Sequence, residues 1–232
     1  MPHRTLVQRL WYDLWRLVCR TGALTTLQVR CHGSRRLPKT GGALVLVNHQ
    51  SHLDPMVMGA VCDRRMNYLA RESLFRFPLF RWLFRSLDAI PIDREGSGLS
   101  GLKETLRRLK RGEVVVLFPE GTRSVDGEIG HLKPGFGALA RRAGVPLLPA
   151  AIDGTFEAWP RNRLLPQPAT VVVEFGEPIS PREIAEKDDR ELVALVETRL
   201  RAAHRRAQQR RQGDYYRPPH CHLPQSLIDS RD

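Results

Sequence analysis

The stretch Ala43-Leu44-Val45-Leu46-Val47-Asn48-His49-Gln50-Ser51-His52-Leu53-Asp54-Pro55 decides how this chain folds. Its first five residues are all apolar, and a short apolar run of this kind is typical of a strand that is buried on both faces of a parallel sheet. His49 and Asp54 follow directly, at the carboxyl edge of that strand. Open α/β sheets bind their ligands at this edge. The stretch therefore predicts a central strand with a ligand site beside it.

His49 and Asp54 are five residues apart, a spacing that a continuous helix would not bring together but a tight turn would. Pro55 favours such a turn, because it disfavours helical geometry at Asp54 and suits the first position of a helix. Asp54 is then a natural N-cap for a helix over residues 56–62. In this arrangement Asp54 holds the Nδ1–H of His49 and leaves Nε2 free to accept a proton. The spacing leaves open the alternative of a capping aspartate and a histidine satisfied by backbone groups.

Further apolar runs predict strands at residues 27–31, 66–70, 113–118, 145–152 and 170–175. One of these strands runs into a second polar block, Phe118-Pro119-Glu120-Gly121-Thr122-Arg123-Ser124. Glycine lets a backbone come close to a ligand, and arginine offers a forked donor that suits a phosphate. The block therefore indicates an anion site, with a structural turn and a Glu–Arg pair as the alternative. Together the elements predict an α/β fold with a mixed, largely parallel central sheet of about seven strands flanked by helices.

The N-terminal residues predict an amphipathic helix. Charged residues recur at helical spacing on one face, namely Arg9, Asp13, Arg16 and Arg20. Leucines, two tryptophans and Val18 cover the opposite face, which suits a helix lying in a membrane interface; packing on its own domain is the alternative. No sequence window approaches the roughly 20 apolar residues that span a bilayer, and the early charges argue against a cleavable signal peptide.

The composition narrows the choice of partner. The chain has 37 Lys and Arg against 25 Asp and Glu, a formal net charge of +12. Such a surface attracts nucleic acid, phospholipid head groups or a phosphorylated substrate. Basic and aromatic residues are not interleaved on any predicted strand, which disfavours a nucleic-acid binder. The four cysteines have no paired spacing, which indicates reduced thiols in a cytosolic setting.

Four other motifs are not assigned a catalytic or ligand-binding role of their own. Gly96-Ser97-Gly98-Leu99-Ser100-Gly101 matches G-x-G-x-x-G, but Asp93-Arg94-Glu95 separates it from the preceding strand, so we interpret it as a flexible loop before a basic helix over residues 102–110. His49, His52 and Asp54, like the tail residues 220–222, lack a further ligand cluster, and no metal site is predicted. Ser51 lacks a nucleophile-elbow context and is assigned a role in the turn.

With these elements in place, the sequence resembles the glycerolipid acyltransferase family. The residues that carry the resemblance are Asn48, His49 and Asp54 of an N-H-x-x-x-x-D block, Phe118 to Ser124 of an F-P-E-G-T-R-S block, Ile92 and Arg94 between the two blocks, and Lys133, Gly135 and Val145 to Ala150 after them. The blocks occur in the family's order over residues 45–155. Asp88 stands where the family has a glycine, and Leu132 where it has an aromatic residue.

The resemblance implies an activity and a set of site residues. It implies transfer of a fatty acyl group from acyl-CoA or acyl-carrier protein to the free hydroxyl of 1-acyl-sn-glycerol-3-phosphate. His49 would be the general base and Asp54 the acid that orients it. The residues implied for the acceptor site are Arg94, Glu120, Gly121, Thr122, Arg123 and Lys133. The alternatives are another lysolipid acceptor, such as a lyso-ornithine lipid, and a non-enzymatic basic module that binds anionic membranes or nucleic acid.

The same resemblance completes the expected organisation. Residues 1–26 would be a membrane-associating helix, residues 27–212 the acyltransferase domain and residues 213–232 a flexible tail. We expect no cofactor and no nucleic-acid partner. The chain would work at the cytoplasmic face of the cell membrane as a peripheral or monotopic protein.

Overall fold

A computed structural model describes residues 11, 13–14, 16–18, 21–22, 25–71, 89–92, 99–160, 163 and 165–215 of the 232-residue chain. The elements, in chain order, are β1 (Val29–His32), a short 3-10 turn (Ser34–Arg36), β2 (Ala43–Val47), α1 (Asp54–Val61), β3 (Met66–Arg71), β4 (Ile90–Ile92), α2 (Leu99–Lys110), β5 (Val114–Leu117), α3 (Phe136–Ala143), β6 (Leu147–Asp153), α4 (Thr155–Ala158), β7 (Val171–Phe175), α5 (Pro181–Ala185) and α6 (Asp189–Tyr215).

The strands form one seven-stranded sheet in the order β1-β7-β6-β2-β5-β3-β4. The strand β2 lies in the middle and pairs in parallel with β5 and with β6. The β6–β7 pair is antiparallel, and the β1–β7, β3–β4 and β3–β5 pairs are parallel. The predicted α/β fold with a mixed, largely parallel sheet is confirmed.

The central strand β2 is buried along its whole length because helices cover both faces of the sheet. Leu44 and Leu46 point into a core that includes apolar residues of α3 and α6. Ala43, Val45 and Val47 point into the opposite core, which includes apolar residues of α1. Side chains alternate between faces along a strand, so a strand covered on both sides has to be apolar at every position.

The carboxyl ends of β6, β2 and β5 meet at one edge of the sheet, because these neighbouring strands run in the same direction. At the end of β6, Gly154 turns the chain with φ 100°. A Cβ atom at this position would lie 2.2 Å from the carbonyl oxygen of Thr170, so only glycine fits. This turn sets Thr155 at the start of α4, beside the polar residues that follow β2.

Two local predictions need correction. The helix after His49 begins at Asp54 itself and Leu53 takes the N-cap position, so Asp54 is not the N-cap. Its carboxylate instead accepts hydrogen bonds from the backbone N–H groups of Gln50 and Ser51, which precede the helix. The residues Lys133-Pro134-Gly135 also predict the start of a helix, but that helix begins only at Phe136, after Gly135 with φ 119°.

Several predicted features lie outside the described residues. These are Asp88, Arg94 and the tail beyond residue 215. The N-terminal helix is described only in part: its described residues are helical, but the amphipathic helix as a whole stays a prediction. Within the described ranges, no helix combines the length and the apolar character needed to cross a membrane. Cys31 and Cys62, which lie in the described part of the chain, do not form a disulfide bond.

Candidate active site

His49 and Asp54 are in direct contact at the carboxyl end of β2. The imidazole Nδ1 lies 2.7 Å from Oδ2 of Asp54. The side chain of Asp54 is fully buried, whereas that of His49 keeps 19% of its surface exposed. A carboxylate oxygen only accepts, so Nδ1 carries the proton of this bond and Nε2 of the neutral ring presents its lone pair. The structure therefore brings together the two residues that the sequence pairs.

The carboxylate of Asp54 is held by three more donors. Its Oδ2 accepts the backbone N–H groups of Gln50 at 2.7 Å and Ser51 at 2.8 Å. Its Oδ1 accepts the hydroxyl of Thr155 at 2.6 Å. Hydrogen bonds to a carboxylate stabilise its ionised form and fix its orientation. The acid is thus positioned by the turn after β2 and by the first residue of α4.

The ring of His49 lies against the ring of Phe118, the residue that follows β5. The ring centroids are 4.1 Å apart and the planes are inclined by 22°, so the rings are stacked. The backbone supports the same position, because the carbonyl oxygen of His49 accepts the N–H of Ser124 at 2.6 Å. The first and last residues of the Phe118–Ser124 block therefore both contact His49.

Glu120 connects the polar block after β5, to which it belongs, with the polar block after β2. Its side chain is buried, with Oε1 accepting the backbone N–H of His49 at 2.8 Å and Oε2 that of Gly130 at 2.9 Å. Burial raises the pKa of Glu120 above its ordinary value, although the hydrogen bonds from Gly130 and His49 oppose this change. Both oxygens are occupied by groups of the protein. In this structure Glu120 therefore supports the backbone of His49, and its predicted role in the acceptor site stays a prediction.

The remaining residues of the predicted acceptor site lie on the loop after β5. Gly121 has φ 70°, and a Cβ atom there would lie 3.2 Å from Cε and Nζ of Lys133. The side chain of Lys133 is exposed and crosses this glycine, while Arg123 is partly exposed and Thr122 exposed. The backbone N–H of Lys133 donates to the carbonyl of Pro119 at 2.9 Å. The structure thus brings Gly121 and Lys133 together, and Arg94 lies outside the described residues.

The sequence analysis missed two polar residues of the site, Gln50 and Thr155. The Gln50 amide donates to the carbonyl of Gly127 at 2.6 Å and accepts from the backbone N–H of Phe156 at 3.4 Å. Gln50 thereby joins the loops that follow β5 and β6, and Thr155 reaches Asp54. A usable signal exists for Thr155, since it follows the end of a predicted strand.

Ser51 and His52 have structural partners. The hydroxyl of Ser51 donates to the carbonyl of Trp159 at 2.9 Å and accepts the N–H of Leu53 at 3.3 Å, which closes the turn. The ring of His52 faces the ring of Trp159 with centroids 5.6 Å apart, at an angle of 57°. Among the described residues, no group of three or more His, Cys, Asp and Glu side chains is arranged to hold a metal ion.

Comparison with known proteins identifies the class. A family model described as Acyltransferase matches residues 28–153. A 1-acyl-sn-glycerol-3-phosphate acyltransferase of Pseudomonas aeruginosa is 32% identical over 77% of this chain and 71% of its own length. One from Bacillus subtilis is 28% identical over 72% of this chain and 82% of its own length.

A solved structure agrees with these sequence matches. The crystal structure of the 1-acyl-sn-glycerophosphate (LPA) acyltransferase PlsC from Thermotoga maritima has a TM-score of 0.74 at 26% identity, covering 95% of this chain and 86% of that one. The fold is thus that of an α/β acyltransferase. The chain belongs to the glycerolipid acyltransferase family.

Proposed function

We propose that this acyltransferase moves a fatty acyl group from a thioester donor to the free hydroxyl of 1-acyl-sn-glycerol-3-phosphate, giving phosphatidic acid. The observation that carries the proposal is the contact of 2.7 Å between Nδ1 of His49 and Oδ2 of Asp54. The contact leaves Nε2 of a partly exposed ring as a base. The acceptor is inferred from the relatives, whose names specify it.

In the proposed mechanism, Nε2 of His49 takes the proton of the acceptor hydroxyl while its oxygen attacks the thioester carbonyl carbon. The carbon–sulfur bond of the resulting tetrahedral intermediate then breaks, and the imidazolium returns the proton to the leaving thiolate. Asp54 stabilises the imidazolium through Nδ1–H and keeps the ring in the required tautomer. The acceptor oxygen attacks the thioester carbon directly, so no covalent acyl-enzyme intermediate is needed.

The proposed acceptor site is the loop over Gly121, Thr122, Arg123 and Lys133, together with Arg94. The ammonium group of Lys133, which lies beside Gly121, supports the proposal of a phosphate site there, because a cation attracts an anion. Anchoring the phosphate would hold the hydroxyl near Nε2 of His49 and make the attack effectively unimolecular. Glu120 would hold the loops after β2 and β5 in position relative to each other.

The donor, the membrane contact and the domain limits belong to the same proposal. Acyl-CoA or acyl-carrier protein would supply the acyl group without a further cofactor. Residues 1–26 would lie on the cytoplasmic face of the cell membrane, with residues 213–232 as a tail. The exposed side chains of Leu14, Leu17 and Val18 support this membrane contact, because each leaves more than half of its surface exposed to solvent.

A panel of acceptors tests the proposal. The purified chain is incubated with a long-chain acyl-CoA and, in turn, with 1-acyl-sn-glycerol-3-phosphate, lysophosphatidylcholine, lyso-ornithine lipid and monoacylglycerol, and thiol release and lipid product are measured. We expect the highest kcat/KM with 1-acyl-sn-glycerol-3-phosphate. Activity on acceptors without phosphate, combined with none on 1-acyl-sn-glycerol-3-phosphate, would overturn the proposed acceptor. The second donor class is compared by repeating the best reaction with acyl-carrier protein.

A further inference from the structure

The carboxyl-terminal half of α6 contacts all three loops that build the site. His204 reaches the loop after β2, where its Nε2 lies 3.4 Å from Nε2 of Gln50. Gln208 reaches the loop after β5, where its amide donates to Glu128 at 3.1 Å. Arg211 reaches the end of β6, where it pairs with Asp153. This part of the helix, which we call the clamp, therefore contacts all three loops. The proposed mechanism uses none of its residues.

His204 is the member of this clamp that is closest to the catalytic turn. It is buried, with 2% of its surface exposed. Its Nε2 faces the Gln50 amide and lies 3.6 Å from Oδ1 of Asp153; its Nδ1 lies 3.8 Å from Oε2 of Glu128. Gln50 in turn gives its backbone N–H to the carboxylate of Asp54. A chain of contacts thus runs from His204 through Gln50 to the acid beneath His49.

The amide orientation of Gln50 determines what His204 has to do. The Nε2 group of Gln50 donates to the carbonyl of Gly127 at 2.6 Å, so it is the NH2 end of the amide that also faces His204. An imidazole nitrogen can accept from this group only when it carries no proton. In that state the proton of His204 lies on Nδ1, on the side of Glu128.

The other tautomer of His204 would reverse this arrangement. A proton on Nε2 would face the NH2 group of Gln50 as a second donor and would turn the bond towards Asp153. The charged groups around His204 are Asp153, Glu128 and Arg211, which pairs with Asp153.

We infer that His204 is a positioning residue of the acyltransferase site: its Nε2 accepts from the Gln50 side chain and thereby holds the turn that carries His49 and Asp54. This inference rests on the proposed role of His49. It predicts that loss of the ring nitrogen lowers kcat rather than raising KM, because the acceptor loop around Lys133 is not part of the chain of contacts.

Three variants of the full chain test the inference. His204→Phe keeps an aromatic ring but removes both nitrogen atoms. His204→Gln keeps an acceptor oxygen for Gln50. Arg205→Ala is the matched control, since it removes an exposed side chain from the next position of the same helix. Values of kcat and KM are measured at the same pH for all the proteins, and thermal unfolding is followed in parallel.

We expect His204→Phe to lower kcat roughly tenfold with KM within about twofold, because a small displacement of catalytic groups is costly. His204→Gln should restore most of kcat. Arg205→Ala should match the wild type. A His204→Phe variant with wild-type kcat would overturn the inference whatever its melting temperature, as would a His204→Gln variant that loses as much kcat as His204→Phe.

A substrate-free measurement separates this inference from the proposed function. NMR spectra of the full chain with 15N-labelled histidine report the protonation of each ring nitrogen. The inference predicts that the ring signals of His49 shift on His204→Phe but not on Arg205→Ala. Unchanged His49 signals would overturn the positioning role even if the acyl acceptor proved to be a different lipid. Conversely, a wild-type rate in His49→Ala would refute the proposed mechanism whatever the spectra show.

Discussion

The hydroxyl of Thr155 lies 2.6 Å from Oδ1 of Asp54, across 101 residues of sequence. This bond joins the end of β6 to the start of α1, and it occupies the carboxylate oxygen that does not face His49. Asp54 is fully buried, so each of its donors contributes to holding a charge away from water. The orientation of the Asp54 carboxylate therefore depends on a residue that no sequence motif marks.

Replacing Thr155 with valine tests this bond, because valine has nearly the same shape but no hydroxyl. We expect the free energy of unfolding to fall by about 1–3 kcal/mol, the usual cost of an unmade hydrogen bond to a buried charge. We expect kcat to fall several-fold, since Asp54 would lose one of the contacts that fix it. Urea unfolding and acyl-transfer assays measure the two effects. Thr155→Ser, which keeps the hydroxyl, is the control and should retain most activity; equal losses in both variants would speak against the bond.

Glu120→Gln tests the support beneath His49. Glutamine has one acceptor oxygen, so its NH2 group would face a backbone N–H of either His49 or Gly130. We expect a loss of about 1–3 kcal/mol in the free energy of unfolding near neutral pH. Glu186→Gln changes an exposed carboxylate on the surface and should stay within about 0.5 kcal/mol of the wild type.

The stability difference between the wild type and Glu120→Gln depends on pH because the pKa of Glu120 is raised. A folded-state pKa above the ordinary value of 4.5 means that the folded protein holds this proton more tightly than the unfolded chain. Its contribution to stability is therefore present below pH 4.5 and is lost as the pH rises through the folded-state pKa. The stability of the wild type relative to Glu120→Gln should decline over this window and level off above it. A difference that grows with pH across the window would contradict the assigned shift.

Lys133→Gln tests the phosphate anchor. The ammonium group beside Gly121 should contribute to binding of the acceptor phosphate, so we expect KM for 1-acyl-sn-glycerol-3-phosphate to rise roughly tenfold. The KM for acyl-CoA should change little. Lys103→Gln removes the same charge from an exposed position on α2 and should leave both constants near those of the wild type. The anchor would be misplaced if the two variants behaved alike.

Leu17→Glu tests the proposed membrane contact in the full chain. The side chain of Leu17 is 61% exposed, and a carboxylate there would oppose insertion into an anionic interface. We expect weaker cosedimentation with phosphatidylglycerol-containing vesicles and unchanged thermal unfolding. Gln209→Glu makes the same change in net charge at an exposed position on α6 and should bind vesicles nearly as the wild type does. Equal binding of all three proteins would assign the N-terminal residues another role.

The sequence predicted the strands because each core strand has a strong local pattern. The five apolar residues of β2 and the valines of β5 are typical of strands that are buried on both faces of a sheet. The positions of His49 and Asp54 relative to each other also followed from a local turn. Helix starts were less predictable: Asp54 is the first residue of α1 and not its N-cap, because its carboxylate bonds backwards to Gln50 and Ser51.

The parts of the site that sequence reasoning missed depend on distant contacts. Thr155 meets Asp54 only because β6 lies beside β2, and His204 meets Gln50 only because α6 packs against β6. Glu120 was grouped with the acceptor residues since it belongs to their block, but its burial under His49 is a tertiary property. Leu132, which stands where the family has an aromatic residue, is fully buried in the core that contains Leu44.

The rate of acyl transfer by His49→Ala is the most direct test of the central claim, that Nε2 of His49 is the base that Asp54 orients. With acyl-CoA and 1-acyl-sn-glycerol-3-phosphate at saturation, we expect kcat to fall by about 10²–10⁴-fold, the usual contribution of general-base assistance. His32→Ala, which removes a histidine from β1, should keep the wild-type rate. A folded His49→Ala protein with a rate within twofold of the wild type would contradict the claim.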